Sequence, residues 1–293
     1  MARFGVIADP HGNLSALDAV LRALDEWRVD GLVCAGDLVG YNAEPDAVAS
    51  LLCREAFCVA GNHDRIATGA LDERRAWEGA RRALVRTRGV ITEVTRARLA
   101  ELPTLRVIDG GILVFHGTLG DVTRRILTPG DVLTSAHALR DSSLTPRLVV
   151  FGHTHVPSVH RVIAAGDRTR VVRVAPHQRI ALTAGGTWFL NPGSVDGARR
   201  GEGCASFAIV DTAAREISFG AARYDHRGSE RRARASGYRS ALIERGRLAL
   251  SSHARALVSR GWGTLARHVR PPLRHGDAAD PGDAAGDGVG RVR

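Results

Sequence analysis

A chain of 293 residues with 44% hydrophobic and 25% charged residues can bury a substantial core, which excludes the disordered and fibrous classes of protein. The net charge of +10 is uneven, because residues 221–293 hold 15 Arg against 7 acidic residues, whereas residues 1–220 hold 26 Arg against 24. Nucleic-acid binding as the main function is therefore disfavoured, since the larger part of the chain is nearly neutral.

Three apolar runs near the N-terminus each end in a polar loop, as buried strands do. Residues 4–8 are followed by Asp9-Pro-His11, residues 31–35 by Gly36-Asp37, and residues 57–60 by Gly61-Asn62-His63-Asp64. Helical spacing of apolar residues begins after Asn13, and a second helix is predicted to start at Pro45. This alternation predicts a mainly parallel, layered α/β fold whose functional residues gather beyond the carboxyl ends of the strands.

The middle of the chain continues with a helix, a hairpin and another buried strand. Residues 72–102 are predicted to be helical with a break near Gly89, and residues 105–117 to form a hairpin that ends at His116. A short helix over residues 131–140 precedes a strand at residues 148–151, which ends at Gly152-His153-Thr154-His155. The short apolar runs and turns of residues 156–224 predict a second, largely antiparallel sheet.

The composition changes after Tyr224. Residues 226–270 are rich in Arg and are predicted to be a helical C-terminal extension, and residues 271–293 are predicted to be a disordered tail. Apolar residues between Leu248 and Val269 form a partly amphipathic pattern. We interpret this segment as a helix packed on the domain, or alternatively as a weak contact with an anionic surface, either membrane or RNA.

The cysteines and the first residues of the sequence indicate the cellular compartment. The four cysteines form no CxxC pair, and the apolar run at residues 4–8 is too short for the core of a signal peptide. No stretch of the sequence approaches the roughly 20 apolar residues of a membrane-spanning helix. The sequence therefore predicts a reduced, cytoplasmic protein without a transmembrane segment, and it does not indicate the oligomeric state.

Polar residues of three chemical types collect at the strand ends. Carboxylates, imidazoles and an amide oxygen together suit Mn, Fe, Zn or Mg, and no thiolate in the set selects a softer metal. The positions are Asp9, His11, Asp37, Asn62, His63, His116, His153 and His155. Each short motif alone is more often structural, but five such motifs in order, each directly after an apolar run, predict a metal centre.

This ordered series resembles the calcineurin-like metallophosphoesterase superfamily over residues 3–225. The segment Asn191-Pro-Gly-Ser-Val195 is similar to the one that follows the last metal motif in the bacterial small phosphodiesterase branch. The resemblance implies a four-layer αββα sandwich of two mixed β-sheets flanked by helices, with residues 1–225 forming the domain. It also implies metal-dependent hydrolysis of a phosphate ester in a small phosphorylated substrate.

The resemblance further implies two metal sites that share one carboxylate. Asp9, His11, Asp37 and His155 would hold the first ion, and Asp37, Asn62, His116 and His153 would hold the second. The cofactors would be two divalent ions, with Mn favoured and Fe, Zn, Ni or Mg as alternatives. A bridging carboxylate keeps two such ions about 3.5–4 Å apart, and a hydroxide between the ions is then a nucleophile at neutral pH.

His63 and Asp37 are the expected catalytic residues. The resemblance makes His63 the group that stabilises or protonates the leaving oxygen, and the alternative is a histidine that only donates a hydrogen bond. Asp64 is expected to stabilise its loop instead.

The sequence departs from the protein serine/threonine phosphatases of the superfamily. Those phosphatases carry the motif GDxVDRG followed by GNHE. This chain has Gly36-Asp-Leu-Val-Gly40-Tyr41 followed by GNHD. The Asp that would orient the catalytic histidine and the Arg that would grip phosphate are missing, so what orients His63 is open. A phosphodiester substrate is therefore favoured, with a phosphomonoesterase, a phosphoprotein phosphatase and a non-catalytic metal-binding scaffold as alternatives. The candidate phosphate clamps are Arg65, Arg124, Arg125 and Arg199.

Overall fold

Three hydrophobic clusters divide the molecule into four layers. The computed structural model describes residues 2–108, 111–165, 168–174, 179–197 and 203–238. One cluster lies between the first sheet and the helices outside it, one lies between the two sheets, and one lies between the second sheet and a helix on its outer face. The predicted αββα sandwich is confirmed.

The strands divide between two sheets of six. In chain order they are β1 (Arg3–Ile7), β2 (Gly31–Cys34), β3 (Ala56–Cys58), β4 (Leu105–Ile108), β5 (Ile112–Phe115), β6 (Leu148–Val150), β7 (Ser158–Ala165), β8 (Arg168–Val174), β9 (Ile180–Ala181), β10 (Thr187–Asn191), β11 (Cys204–Asp211) and β12 (Glu216–Arg223). The first sheet has the order β3-β2-β1-β11-β12-β9, and the second has the order β4-β5-β6-β10-β7-β8. Both sheets are mixed, because β1 to β3 are parallel in the first sheet and β5, β6 and β10 are parallel in the second.

Alternation of side chains along the strands lets β1 and β6 bury apolar residues on both faces of their sheets. In β6, Leu148 and Val150 face the first sheet, whereas Val149 between them packs in the outer cluster with Val132 and Leu139. The same alternation holds in β1, where Val6 lies between the sheets. The apolar runs of β1 and β6 are therefore continuous because both faces of these strands are buried, whereas Phe57 in β3 is 44% exposed.

Helices cover the outer faces of the sheets. They are α1 (Leu14–Glu26), α2 (Pro45–Glu55), α3 (Asn62–Thr68), α4 (Glu78–Val90), α5 (Glu93–Ala100), α6 (Pro129–Asp141) and α7 (His226–Ala235). The Asn13 side chain caps α1 by accepting a hydrogen bond from the Ala16 N–H, and Pro45 occupies the first turn of α2, both as predicted. Among the residues described, no helix combines the length and apolar character needed to cross a membrane.

The predicted helical region over residues 72–102 is confirmed with two differences. Its first turn, Glu73–Arg75, is a 3₁₀-helix, and the predicted break near Gly89 falls at residues 91–92, so that Gly89 itself lies inside α4. Thr92 caps α5, since its hydroxyl accepts a hydrogen bond from the Thr95 N–H, and the Thr92 N–H and hydroxyl both donate to Asp46 Oδ1 at 3.0 Å. The break between the two helices thus lies at Thr92, which caps α5 and is bonded to Asp46. A single glycine such as Gly89 is tolerated within a helix.

The second sheet predicted over residues 156–224 has the predicted antiparallel pairing, but its strands belong to two sheets and not to one. β7, β8 and β10 complete the second sheet beside β6, whereas β9, β11 and β12 extend the first sheet beside β1. The apolar pattern identifies these strands but carries no information on their partners, because both sheets offer an apolar edge of the same kind.

The described part of the C-terminal extension packs against the domain. α7 contacts α1, and Arg232 Nε donates a hydrogen bond to Glu44 Oε1 at 2.8 Å. The rest of the predicted helix, residues 239–270, the predicted tail and the segment with the amphipathic pattern lie outside the described residues.

Val20→Ala tests the outer layer of this packing. Val20 in α1 is fully buried, so the loss of two carbon atoms should lower the free energy of unfolding by about 2 kcal/mol in urea denaturation. Val85→Ala in α4 removes the same atoms from a side chain that is 51% exposed, and we expect a change within about 0.5 kcal/mol. Equal losses in the two variants would contradict the layered packing.

Candidate metal centre

The predicted site residues converge where the carboxyl ends of parallel strands from both sheets meet. Asp9 follows β1 and Asp37 follows β2, while His116 follows β5 and His153 follows β6. Hydrogen bonds join the two sheets at this edge: His116 Nδ1 donates to the Ala35 carbonyl at 2.7 Å, and the His153 N–H donates to Asp9 Oδ1 at 3.1 Å. The clusters that are separate in the sequence thus form one site.

The backbone of the site is left-handed at an unusual number of side-chain-bearing residues. Eight non-glycine residues in the described part of the chain have positive φ, and five of them are predicted metal ligands. These are Asp9 (56°), His11 (49°), Asp37 (56°), His153 (66°) and His155 (57°). Each such residue costs on the order of 1 kcal/mol, and concentration of this strain at one place is typical of a functional site.

One group of ligand atoms is formed by Asp9, His11 and His155. Nε2 of His11 lies 3.1 Å from Nε2 of His155, and His155 Nε2 lies 3.5 Å from Asp9 Oδ1. Asp9 and His11 have no exposed surface, whereas His155 is partly exposed. The group therefore opens to solvent on one side only.

A further group is centred on Asp37, whose side chain is 1% exposed. His116 Nε2 lies 3.2 Å from Asp37 Oδ2, from Asn62 Oδ1 and from His153 Nδ1. Asp37 Oδ2 is also 3.9 Å from His11 Nε2, which belongs to the first group. Asp37 thus lies within 4 Å of an imidazole of each group, and His11, Asp37 and His63 form a third group of ligand atoms.

Backbone carbonyls select which nitrogen of each imidazole faces the centre. A carbonyl only accepts hydrogen bonds, so the nitrogen beside it carries the proton and leaves the other nitrogen with a free lone pair. His116 Nδ1 faces the Ala35 carbonyl, His11 Nδ1 faces that of Val39 at 3.2 Å, and His153 Nε2 faces that of Thr123 at 3.1 Å. These acceptors cannot be identified from the sequence, because any residue type supplies a carbonyl.

These residues fit a divalent cation. Asp9 Oδ2 is buried and has no hydrogen-bond partner within the described residues, and a buried unpaired carboxylate oxygen is costly unless a cation balances it. In each group of three residues, one ligand atom from each lies within 4.8 Å of the others. Oxygen and imidazole donors together suit Mn, Fe or Zn.

The charges at the centre are strongly coupled. Burial raises the pKa of Asp9 well above its usual range. Burial acts in the same direction on Asp37, but the nearby His116 and His63 outweigh it and hold the pKa of Asp37 well below the usual value. Burial likewise opposes protonation of His116, yet Asp37 raises its pKa to about 10, and burial together with His116 lowers the pKa of His153 to about 3. A cation that binds here therefore competes with a proton on His116.

His63 lies in the first turn of α3, beside the centre. Its N–H donates to Asp37 Oδ1 at 2.8 Å, and its Nε2 is 3.9 Å from Asp37 Oδ2 and 3.2 Å from the Tyr41 hydroxyl. Asp64 accepts hydrogen bonds from the N–H groups of Gly61, Asp37 and Val39, so it stabilises the loops as predicted.

The segment beginning at Asn191 also supports the centre. Asn191 Nδ2 donates to the Gly152 carbonyl at 2.8 Å and to Thr154 Oγ1 at 3.0 Å, which holds the loop that carries His153 and His155. Ser194 Oγ donates to the Asp9 carbonyl at 2.9 Å.

The candidate phosphate clamps differ in their exposure to solvent. Arg65 is half-buried, whereas Arg124 and Arg125 are exposed, and none of the three guanidinium groups has a hydrogen bond or ion pair within the described residues. The charge of Arg125 contributes to the lowered pKa of His153, so Arg125 is electrostatically coupled to the centre. Arg199 lies outside the described residues.

Comparison with known proteins identifies a family and related structures. Residues 2–215 match the calcineurin-like phosphoesterase superfamily domain. An uncharacterized protein of Methanocaldococcus jannaschii is 29% identical over 233 residues, which cover 75% of this chain and 87% of the relative. The crystal structure of a metallophosphoesterase from Sphaerobacter thermophilus is 29% identical, with a TM-score of 0.67 over 83% of this chain and 97% of that one. A hypothetical protein from Pyrococcus horikoshii OT3 shares the fold at 17% identity, with a TM-score of 0.61 over the same shares of the two chains.

Gly61→Ala tests how closely the loops pack around the centre. A Cβ atom at this position would lie 2.0 Å from Asp37 Oδ1, so the carboxylate must move, and we expect the thermal stabilisation by added Mn²⁺ to be lost. Gly89→Ala in α4 is the matched control, because no atom lies within 4 Å of its added Cβ. The control should keep the Mn²⁺-dependent shift in melting temperature, and an unchanged shift in Gly61→Ala would contradict the proposed geometry.

Proposed function

We propose, for a chain that belongs to the calcineurin-like phosphoesterase superfamily, that it hydrolyses phosphodiesters at a centre holding two divalent cations. The family makes the chain a metal-dependent phosphoester hydrolase. The number of cations, the residues that hold them and the preference for a diester are the proposal.

One observation carries the proposal: Asp37 Oδ2 lies between two groups of ligand atoms. It is 3.2 Å from His116 Nε2 on one side and 3.9 Å from His11 Nε2 on the other. We assign Asp9, His11, Asp37 and His155 to the first cation, and Asp37, Asn62, His116 and His153 to the second. Mn is our first choice among the cations that suit a donor set of carboxylate, amide and imidazole groups.

The bound cations would activate water as a nucleophile and neutralise the negative charge of the phosphoryl oxygens. The chain's own residues hold the ligand atoms before substrate arrives, since backbone carbonyls fix the imidazoles of His11, His116 and His153. Asp37 fixes the main chain at His63 by accepting a hydrogen bond from its backbone N–H. His63 then supplies a proton to the leaving oxygen, which prevents an unfavourable alkoxide or phenoxide from building up.

Positions 40 and 41 favour a diester substrate. The protein phosphatases of the superfamily have an Asp and an Arg where this chain has Gly40 and Tyr41. A dianionic monoester depends more on a guanidinium beside the centre than a monoanionic diester does. A chain that lacks this Arg is therefore better suited to the diester.

Restoring cations to the metal-stripped protein tests the proposal directly. We expect bis-p-nitrophenyl phosphate to be hydrolysed faster than p-nitrophenyl phosphate, with activity restored by Mn²⁺, Fe²⁺, Zn²⁺, Ni²⁺ or Mg²⁺ to different extents. Metal analysis should give two cations per chain. Asn62→Ala should lose one cation and most of the activity, because its amide is a ligand of one cation only.

Three results would contradict this proposal. A preference for the monoester would overturn the choice of substrate and favour a phosphomonoesterase or phosphoprotein phosphatase. One cation per chain in the active protein would overturn the dinuclear centre. Binding of two cations without turnover of either ester would favour the scaffold alternative.

His63→Ala separates a proton donor from a metal ligand. His11, Asp37 and His63 also form a group that could hold a cation, so both roles are geometrically open to His63. As a proton donor, His63 should be dispensable for binding, and His63→Ala should keep two cations while kcat falls about a hundredfold or more. Loss of a cation from His63→Ala would make it a ligand instead, and His116→Ala provides the reference for such a loss.

A further inference from the structure

We propose that Tyr41 is a positioning residue for His63, whose hydroxyl holds the imidazole with Nε2 directed toward the Asp37 carboxylate. The inference rests on the proposed function, in which His63 protonates the leaving oxygen.

The loop before Tyr41 leaves no room for an orienting side chain. Gly40 has φ of +151°, and a Cβ atom there would lie 2.4 Å from His63 Nδ1 and 2.9 Å from His11 Nδ1. The imidazole of His63 therefore packs directly on the backbone of Gly40. The Asp found at this position in the protein phosphatases cannot be accommodated, so the orienting group must approach His63 from another side.

Tyr41 supplies such a group at the other nitrogen. Its hydroxyl lies 3.2 Å from His63 Nε2, and the two rings meet edge to face, with centroids 4.7 Å apart and planes at 62°. Because Nδ1 packs on Gly40, Nε2 is the nitrogen that gives its proton to the leaving oxygen. The phenol hydroxyl can accept from protonated Nε2 beside the leaving oxygen, and it can turn to donate to Nε2 once the proton has moved to that oxygen. The contact therefore holds the imidazole in both protonation states, which suits a residue that positions an acid.

Tyr41 is itself held in place. Its ring packs against the small cluster of Ile66, Ala80 and Leu84, and its N–H donates to the His11 carbonyl at 3.2 Å. Because both the backbone and the ring face of Tyr41 are held, its hydroxyl is fixed more firmly than one on a flexible side chain would be.

The peptide group of Gly40, next to Tyr41, is held by residues that lie outside the centre. Thr87 Oγ1 donates to the Gly40 carbonyl at 2.8 Å and lies 3.0 Å from the Tyr238 hydroxyl. Because all three groups are buried, water does not readily replace these bonds. The loop that presents Tyr41 is therefore fixed relative to α4 as well as to the centre.

Tyr41→Phe tests the role of the hydroxyl while keeping the ring. We expect kcat for diphenyl phosphate to fall about tenfold and kcat for bis-p-nitrophenyl phosphate only about twofold, because the better leaving group needs less protonation. KM should change little for either ester. The ratio of the two kcat values does not depend on the active fraction of the sample, so partial misfolding cannot produce this result. Equal losses for the two esters would overturn the proposal.

A double-mutant cycle asks whether Tyr41 acts through His63. If it does, Tyr41→Phe should cost nothing further in a His63→Ala background, because the group that it positions is gone. A purely structural role predicts the same fractional loss in both backgrounds, and that additivity would overturn the proposal.

Nitrogen NMR of the histidine rings gives a readout that does not need activity. In the Zn²⁺-loaded protein, Tyr41→Phe should shift the His63 Nε2 resonance, which is identified by its absence in His63→Ala. Tyr224→Phe is the matched control, because its hydroxyl lies near Asn13 Nδ2 and not near His63, and it should leave the resonance unchanged. An unshifted resonance in Tyr41→Phe would overturn the contact. If the wild-type protein hydrolyses neither ester, the proposed function fails, and the NMR comparison still decides the contact by itself.

Discussion

The buried carboxylate of Asp37 is the constraint on which the rest of the structure depends. An ionised group in this environment is stable only if partners replace its hydration, and each oxygen has them. Oδ1 accepts the His63 N–H, while Oδ2 faces His116 and lies near His11. The Asp37 N–H is held by Asp64 in turn. The loops after three strands are thus organised around one side chain.

The packing between the two sheets sets the dimensions of the centre. Asp9, Asp37 and Asn62 extend from the first sheet, and His116, His153 and His155 extend from the second. A shift of one sheet relative to the other would separate these sets, so the apolar cluster between the sheets keeps the ligand atoms in register. Such cores resist small displacements, because they are packed as densely as organic crystals. The apolar core between the sheets therefore helps to keep the metal-ligating atoms preorganised.

The sequence predicted the parts of the structure that follow from local pattern. Each apolar run with a polar end became a strand, and the polar ends met, because parallel strands bring their carboxyl ends to one edge. The partners of β7 to β12 could not be predicted, since strand pairing depends on the whole molecule. The carbonyls of Ala35, Val39 and Thr123 could not be predicted as hydrogen-bond acceptors for a different reason. A backbone acceptor does not depend on the residue type, so the sequence carries no sign of it. The groups around the His63 imidazole could not be predicted, because this chain has Gly40 where the phosphatase motif has the Asp that orients the histidine.

The left-handed backbone at five of the polar positions has a consequence for the history of the fold. Glycine adopts this conformation without the steric cost that Asp or His bears there. Replacing one of these residues by glycine relieves backbone strain and also removes a polar group from a buried position. Loss of hydrolysis is then favourable for folding stability at the three histidine positions, whereas Asp9 and Asp37 also hold loops together through hydrogen bonds. In a lineage without selection for turnover, the histidines should disappear first, while the sandwich that carries them persists.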